Sequence, residues 1–462
     1  MKSLRENVNW EIEKERDEFL RQLDPLVEDW VDELPTLRDI FRRDEIDRLL
    51  TDSSKDDFLE FVDFVVRSGY KDEPDVDENG KPLLRRTTAI HHVARLRPTH
   101  WFVSIPHLFK IYDRFDANYI DEDGSTHFHA ACMLPDCREV VAKFLELGQD
   151  PNCLAQIASF EPPLLVALSF RNLSTVEALL RSGADPNLAS KDGFSALHVI
   201  FRNNCRGDEE MMAFFGILED TQRTQLRAAV DAKDKWGWTP LQLAVTSLLP
   251  RVVDELLARG ASLSSTSFVF PTSEVHFDPC FDAWAEDKDH KLRLASAALT
   301  IVDSLEKAGY ELDRGEALTI MKLFAKHGMF EESAFADGRW YSDERFARAA
   351  KKMTMKKKKK GLSLHDLIPL RPKEAARLFT VGDYYEFVGA VSFRKLPRGS
   401  HDACAVHLCE KLSRGFFRRW ALDSFRELIR YRLPPECCDI ILELLTNKDL
   451  YRVCSAAAGQ RP

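Results

Sequence analysis

Ser182-Gly183-Ala184-Asp185-Pro186-Asn187, followed shortly by Ser195-Ala196-Leu197-His198, is the stretch that decides the fold. Both halves of it recur. Counterparts of the second half stand at Thr88-Ala89-Ile90-His91, Thr126-His127-Phe128-His129, Pro162-Pro163-Leu164-Leu165 and Thr239-Pro240-Leu241-Gln242. Between their last residues the spacings are 38, 36, 33 and 44, around the roughly 33-residue period of a short two-helix repeat. Counterparts of the first half run in phase with them: Leu147-Gly148-Gln149-Asp150-Pro151-Asn152 and, shortened, Arg259-Gly260-Ala261-Ser262.

The residue types suit helix boundaries. A Thr or Ser ahead of a helix accepts a hydrogen bond from a backbone N–H that has no partner within the helix, and Pro240 at a first helical position gives up an N–H that would go unpaired anyway. At the other end, Gly148, Gly183 and Gly260 can take the left-handed conformation that stops a helix and releases an extended loop. A lone helix pair cannot bury both its faces, so such units stack into a solenoid with a concave side. The strings resemble the Thr-Pro-Leu-His-x-Ala signature of ankyrin repeats. That resemblance implies an all-α ankyrin-repeat solenoid that binds a protein target, with His91, His129 and His198 in structural, hydrogen-bonding roles.

Outward from the array, residues 1–78 read as an acidic helical N-terminal cap. Asn7 to Glu33 is expected to form two amphipathic helices broken near Asp24-Pro25, with Trp10, Phe19, Leu23, Leu26 and Trp30 buried. Pro35 to Leu50 adds another pair; Phe58, Phe61, Val62, Val65 and Val66 form a helix ended by Gly69, and Lys71 to Gly80 a finger-like loop. Residues 79–265 hold the degenerate repeats, the fourth lengthened between Asn203 and Ala229 by Met211-Met212-Ala213-Phe214-Phe215. Residues 266–350 read as a helical extension in which Asp313 and Glu316 make a capping box. A Lys-rich linker, 351–361, leads to a compact helical module at 362–455, where Thr380 with Asp383 suggests another box and a long helix carries Leu408, Leu412, Phe416, Trp420, Phe425 and Leu428.

Near the end, Leu433-Pro434-Pro435-Glu436 opens a short helix with Ile440, Ile441, Leu444 and Leu445, followed by Asp449-Leu450. The order resembles the start of an F-box. Together with Cys409-Glu410-Lys411-Leu412-Ser413-Arg414-Gly415-Phe416-Phe417-Arg418-Arg419-Trp420, the acidic cap and the degenerate repeats, it makes the whole chain resemble the ankyrin–PRANC proteins of poxviruses, endosymbiotic bacteria and parasitoid wasps, most closely the wasp type. The resemblance implies a C-terminal PRANC module, F-box-like, that engages the Skp-type adaptor of a cullin–RING ubiquitin ligase. Its docking residues would be Leu433, Pro434, Glu436, Ile440, Ile441, Leu444, Leu445, Asp449 and Leu450. Cys437-Cys438 stand where the family carries a bulkier Leu pair. Periodicity alone leaves a second reading open, because positions i, i+1, i+4 and i+5 equally describe the inner face of a packed helix.

Net charge of −10, with 25 acidic against 12 basic side chains in the first 80 residues, argues against nucleic acid as the main ligand. No apolar run approaches the roughly 18 residues that cross a bilayer, and the charged start does not read as a signal peptide, so a cytoplasmic protein without a membrane partner is expected. The run Lys356, Lys357, Lys358, Lys359 and Lys360 is a solvated hinge by charge repulsion, or a nuclear import signal by its resemblance to short Lys clusters. Ten irregularly spaced cysteines exclude a disulfide framework. Cys404, His407 and Cys409 lack a fourth ligand for zinc. With no phosphate loop, nucleophile elbow or His-Glu-x-x-His string, neither metal nor cofactor nor enzymatic activity is expected. A binding-only ankyrin scaffold or sequestering regulator is the alternative to a ligase receptor.

Overall fold

The computed structural model describes residues 1–28, 30, 34–55, 59–98, 100–154, 161–203, 208–221, 230–264, 268–271, 273–277, 290–330, 339–355, 361–390, 393–397 and 400–459. It is mostly helical, and among the described residues its strands are one short antiparallel pair, Thr354–Met355 with Leu362–Ser363. The chain forms two compact units: residues 1–200 with 214–229, and 201–213 with 230–462.

In the first unit the helices Arg43–Lys55, Ala89–Leu96, His127–Cys132 and Pro163–Ser169 pack one on the next, and Leu59–Arg67 packs on Trp101–Ile111 and Arg138–Glu146 on Leu173–Arg181 behind them. The starts are fixed as the strings require. Thr88 and His91, and likewise Thr126 and His129, form reciprocal capping boxes. Gly148 and Gly183 end their helices at φ 88° and 91°, a region closed to a side chain with a Cβ without strain. Burial of Ile90, Phe128, Phe144, Leu165 and Leu179, each at most 1% exposed, supplies the core between layers.

The N-terminal cap departs from expectation in three places. Glu13–Glu28 is one continuous helix that passes through Pro25, so no break occurs at Asp24-Pro25. Pro25 sits in the last turn, where the lost N–H bond matters least. Leu26 is 47% exposed rather than buried, whereas Phe19 and Leu23 are buried and Trp10 packs edge-on against Phe19 and Phe41. Pro35 to Leu50 holds a single 3-10 turn, Leu37–Asp39, and the start of the Arg43–Lys55 helix instead of two helices. Phe58 lies outside the described residues.

The second unit is built on the long helix His401–Leu428. The helices His290–Lys307 and Arg314–Lys326, expected as an extension of the array, pack directly on it, as do Pro372–Leu378, Pro435–Glu443 and Asn447–Ala457. Phe324 and Phe330 both meet Phe417 edge to face, at 5.5 and 5.7 Å between ring centres. Lys291–Asp402 and Arg314–Glu427 ion pairs, at 2.6 and 2.7 Å, close the rim. Compactness therefore divides the chain differently from the segments 79–265, 266–350 and 362–455. Helices within the second unit bury their apolar faces against each other across those sequence borders. The Lys run, Lys356 to Lys360, lies outside the described residues; on either side of it Thr354 pairs with Ser363 and Met355 with Leu362.

Candidate functional site

The long helix ends in two consecutive left-handed residues, Arg430 and Tyr431, at φ 57° and 55°. Such backbone costs roughly 1–3 kcal/mol per residue, and here the Tyr431 N–H to Arg426 carbonyl bond of 2.8 Å holds it. The turn sends the chain back. Pro434 caps the next helix, Pro435–Glu443, with Pro435 at its first position and Glu436 in its first turn, where a carboxylate suits the positive end of the helix dipole.

Cys438 and Leu442 are fully buried against the unit, and the opposite edge faces outward. Ile440 is 64% and Leu444 84% exposed, Leu433 is 39% exposed, and Ile441 and Leu445 are half-buried beside them. Pro434 and Glu436 are exposed as well. Five apolar side chains within a few turns thus form a ridge with one solvent edge. Sequence alone could not orient this helix.

The ridge stands on a polar clamp. Arg414 donates to the Leu442 and Glu443 carbonyls at 3.1 and 3.0 Å, satisfying the helix C-terminus, and to Asn447 Oδ1 at 3.0 Å. Burial pulls the Arg414 pKa below its ordinary value while Glu410 opposes the shift. Asn447, itself fully buried, donates through Nδ2 to the Glu410 carbonyl and Ser413 Oγ at 3.0 and 2.9 Å. The two expected exit residues serve the module. Asp449 accepts from Thr446 N–H and Oγ–H at 3.2 and 2.7 Å, a capping box for Asn447–Ala457, and these bonds hold its carboxyl below the usual carboxylate range. Leu450 is fully buried and cannot touch a partner, a correction to its place among the docking residues: it sits on the inner side of the terminal helix, whose core contacts outweigh exposure.

On the repeat side the histidines act as helix starters. The Nδ1 atoms of His91, His129 and His198 accept the backbone N–H of Thr88, Thr126 and Ser195 at 3.1, 3.3 and 3.2 Å. In the unit that starts at Thr239 the Gln242 side-chain oxygen does the same at 2.9 Å. One recurring signal escaped the sequence reading: Asp77 to Gly80, Asp121 to Gly124 and Asp234 to Gly237, with Ser190 to Gly193 as a variant. In each Asp case the carboxylate accepts two backbone N–H groups of the finger turn at 2.8–3.0 Å, and the Gly supplies the left-handed residue.

Residues 164–267 match the family model for ankyrin repeats, in three copies. This stretch is ankyrin-repeat sequence. No curated protein matches the chain. The match begins at the Pro162-Pro163-Leu164-Leu165 string, and the strings at Thr88 and Thr126 lie outside it.

Among the described residues no group of His, Cys, Asp and Glu side chains could hold a metal ion, and no helix is long and apolar enough to cross a membrane. Cys404 and Cys409 are buried in the long helix, and burial pushes the Cys137 and Cys454 thiols up to about 12 and about 11, away from reactivity.

Proposed function

We propose that the chain is a non-catalytic adaptor: its ankyrin repeats hold a target protein, and the ridge on Pro435–Glu443 grips the Skp-type adaptor of a cullin–RING ubiquitin ligase. The protein-binding half is what ankyrin repeats imply. The ligase half is supported by one observation above others, the outward edge of Ile440 and Leu444 on a helix whose C-terminal end is clamped by Arg414. A preformed apolar edge binds without paying to order itself. Glu436 and Leu433 flank that edge in F-box register.

The test is co-purification of the full chain with a recombinant Skp-type adaptor. Ile440→Asp/Leu444→Asp is expected to weaken capture about 30- to 1000-fold, the loss of two anchor side chains, while the melting temperature stays within about 1 °C, since neither side chain is buried in the fold. Absence of capture by the unaltered chain, or capture indifferent to both substitutions, sinks the ligase half.

The binding-only scaffold keeps one specific observation in its favour. Asp449 and Leu450 are consumed by capping and core packing, so part of the F-box-like string serves the module's own stability.

A further inference from the structure

The turn that ends the long helix presents more than its backbone. Tyr431, in the left-handed conformation, is 61% exposed, and Leu428 just before it in the helix is 46% exposed. Three successive N–H groups bond back into the helix end: Arg430 to the Glu427 carbonyl at 2.9 Å, Tyr431 to Arg426 at 2.8 Å and Arg432 to Ile429 at 3.4 Å. The Arg426 guanidinium carbon lies 5.3 Å from the centre of the Tyr431 ring, a cation–π contact that restrains the side chain. Arg430 and Arg432 on either side of Tyr431 are exposed, and neither forms an ion pair within the described residues. Other cations of this unit are neutralised nearby: Arg418 meets Asp439 at 2.5 Å, Lys373 meets Glu443 at 2.7 Å and Arg452 meets Asp449 at 3.3 Å. In a chain of net charge −10, this turn stays basic. It runs without a gap into Leu433, Pro434 and Glu436, the exposed start of the ridge.

We infer that the Arg430–Tyr431–Arg432 turn is the aromatic and charged anchor of the ridge, and that it takes an acidic protein segment. This rests on the reading of the ridge as a protein-docking edge and specifies the charge of the surface it meets. Tyr and Arg are among the side chains that dominate interface energies, most of all where they are already held in place. Two guanidinium groups without internal partners, beside an apolar edge, select carboxylates and suppress basic partners. A membrane surface also takes basic and apolar groups together, but Glu436 disfavours it. Its carboxylate is exposed between Leu433 and Ile440, four residues before Ile440 on the same helix face, and forms no ion pair within the described residues. An anionic lipid surface would meet that charge uncompensated.

The full chain is titrated by fluorescence anisotropy with labelled recombinant Skp-type adaptor, and separately with a fluorescein-labelled peptide carrying a Leu-Phe pair between Glu and Asp residues and with its Lys-flanked counterpart. Tyr431→Asn removes the ring, and Asn tolerates the left-handed backbone. It is expected to weaken both the adaptor and the acidic peptide about 10-fold or more. The unaltered chain should prefer the acidic peptide over the basic one by about 10-fold or more, and Arg430→Glu/Arg432→Glu should remove that preference with its salt sensitivity. Because these side chains are exposed, circular dichroism of both variants should match that of the unaltered chain. Adaptor capture that is lost in Ile440→Asp/Leu444→Asp yet indifferent to Tyr431→Asn and to the charge reversal overturns the inference and leaves the ridge reading standing. Should the adaptor never be captured, the ligase half fails by itself and the peptides decide: binding of the acidic one that depends on Tyr431 upholds the inference. Equal binding of both peptides, binding of neither, or variant-sensitive binding to phosphatidylserine vesicles alone overturns it.

Discussion

Replacing Arg86 with Ala is expected to destabilise the first unit by about 3–5 kcal/mol, the cost of removing the central cation of a buried cluster in which Asp72 keeps only the longer ion pair with Arg43, at 3.4 Å. The guanidinium donates to Asp72 Oδ1 at 2.9 Å and also bonds Asp47. Both carboxylates have second donors, Tyr112 Oη to Asp47 at 2.9 Å and Tyr119 Oη to Asp72 at 2.6 Å, and Asp72 is 2% exposed. Burial works against the Arg86 charge, yet Asp47 and Asp72 outweigh it and hold its pKa above the ordinary value. Asp47 belongs to the helix Arg43–Lys55 and Tyr112 and Tyr119 follow the Trp101–Ile111 helix, so this cation ties the two segments together. Thermal unfolding of the full chain should show the transition of the first unit lowered by roughly 10 °C, at about 2–4 °C per kcal/mol for a unit of this size. Adding Asp47→Asn and Asp72→Asn to Arg86→Ala should recover part of the loss. A shift under about 2 °C would mean that the cluster is solvated and contributes little.

The same unit is expected to be acid-labile through its helix-starting histidines. Burial holds His91 and His129 down to about 4, with Asp121 opposing weakly, and holds His127 well below its ordinary value. In the unfolded chain each takes up a proton near pH 6.5. The folded pKa is the depressed one, so the unfolded state binds more protons on acidification; the stability is whole above about pH 6.5 and drains away as pH falls toward about 4. The bonds explain the cause. Nδ1 of His91 and of His129 accepts a backbone N–H, and a protonated Nδ1 has no lone pair to offer. At pH 5 the loss is on the order of 2 kcal/mol per histidine, enough to lower the melting temperature by roughly 10 °C from its value at pH 7.5. The chain carries its own control in Thr239–Gln242, where an untitratable amide makes the same box. His91→Gln/His129→Gln should keep the helix starts and remove most of the difference between the two pH values. A pH-independent melting temperature in the unaltered chain would show that these imidazoles are not held neutral by the fold.

Local chemistry was legible where one or two neighbouring residues decide the outcome. Thr88 with His91, Asp313 with Glu316, Thr380 with Asp383, and Gly148, Gly183 and Gly260 all sit at the helix ends their types imply. Capping depends on bonds three residues apart and on the freedom of a single φ, both written in the sequence. Pro25 shows the limit even locally, because a Pro signal does not say whether the helix ends there or tolerates it in its last turn. The Asp-x-x-Gly fingers depend on equally local bonds, but the string recurs irregularly and is too short to stand out from chance occurrences of Asp and Gly.

What the sequence by itself determined, then, is where the helices beside the recurring strings begin and stop, and that a two-helix unit repeats. The tertiary structure alone decided which edge of Pro435–Glu443 is outward, that Leu450 is drawn inside while Ile440 and Leu444 stay in solvent, and that His290–Lys307 and Arg314–Lys326 share a core with the long helix. The physical reason is that apolar periodicity states that a face must be buried without naming its partner. Ile440 with Leu444 and Ile441 with Leu445 both yield the core side to Cys438 and Leu442, and the neighbours that set this orientation, among them Arg414 and Asn447 with their carbonyl and side-chain partners, are brought together only by the fold.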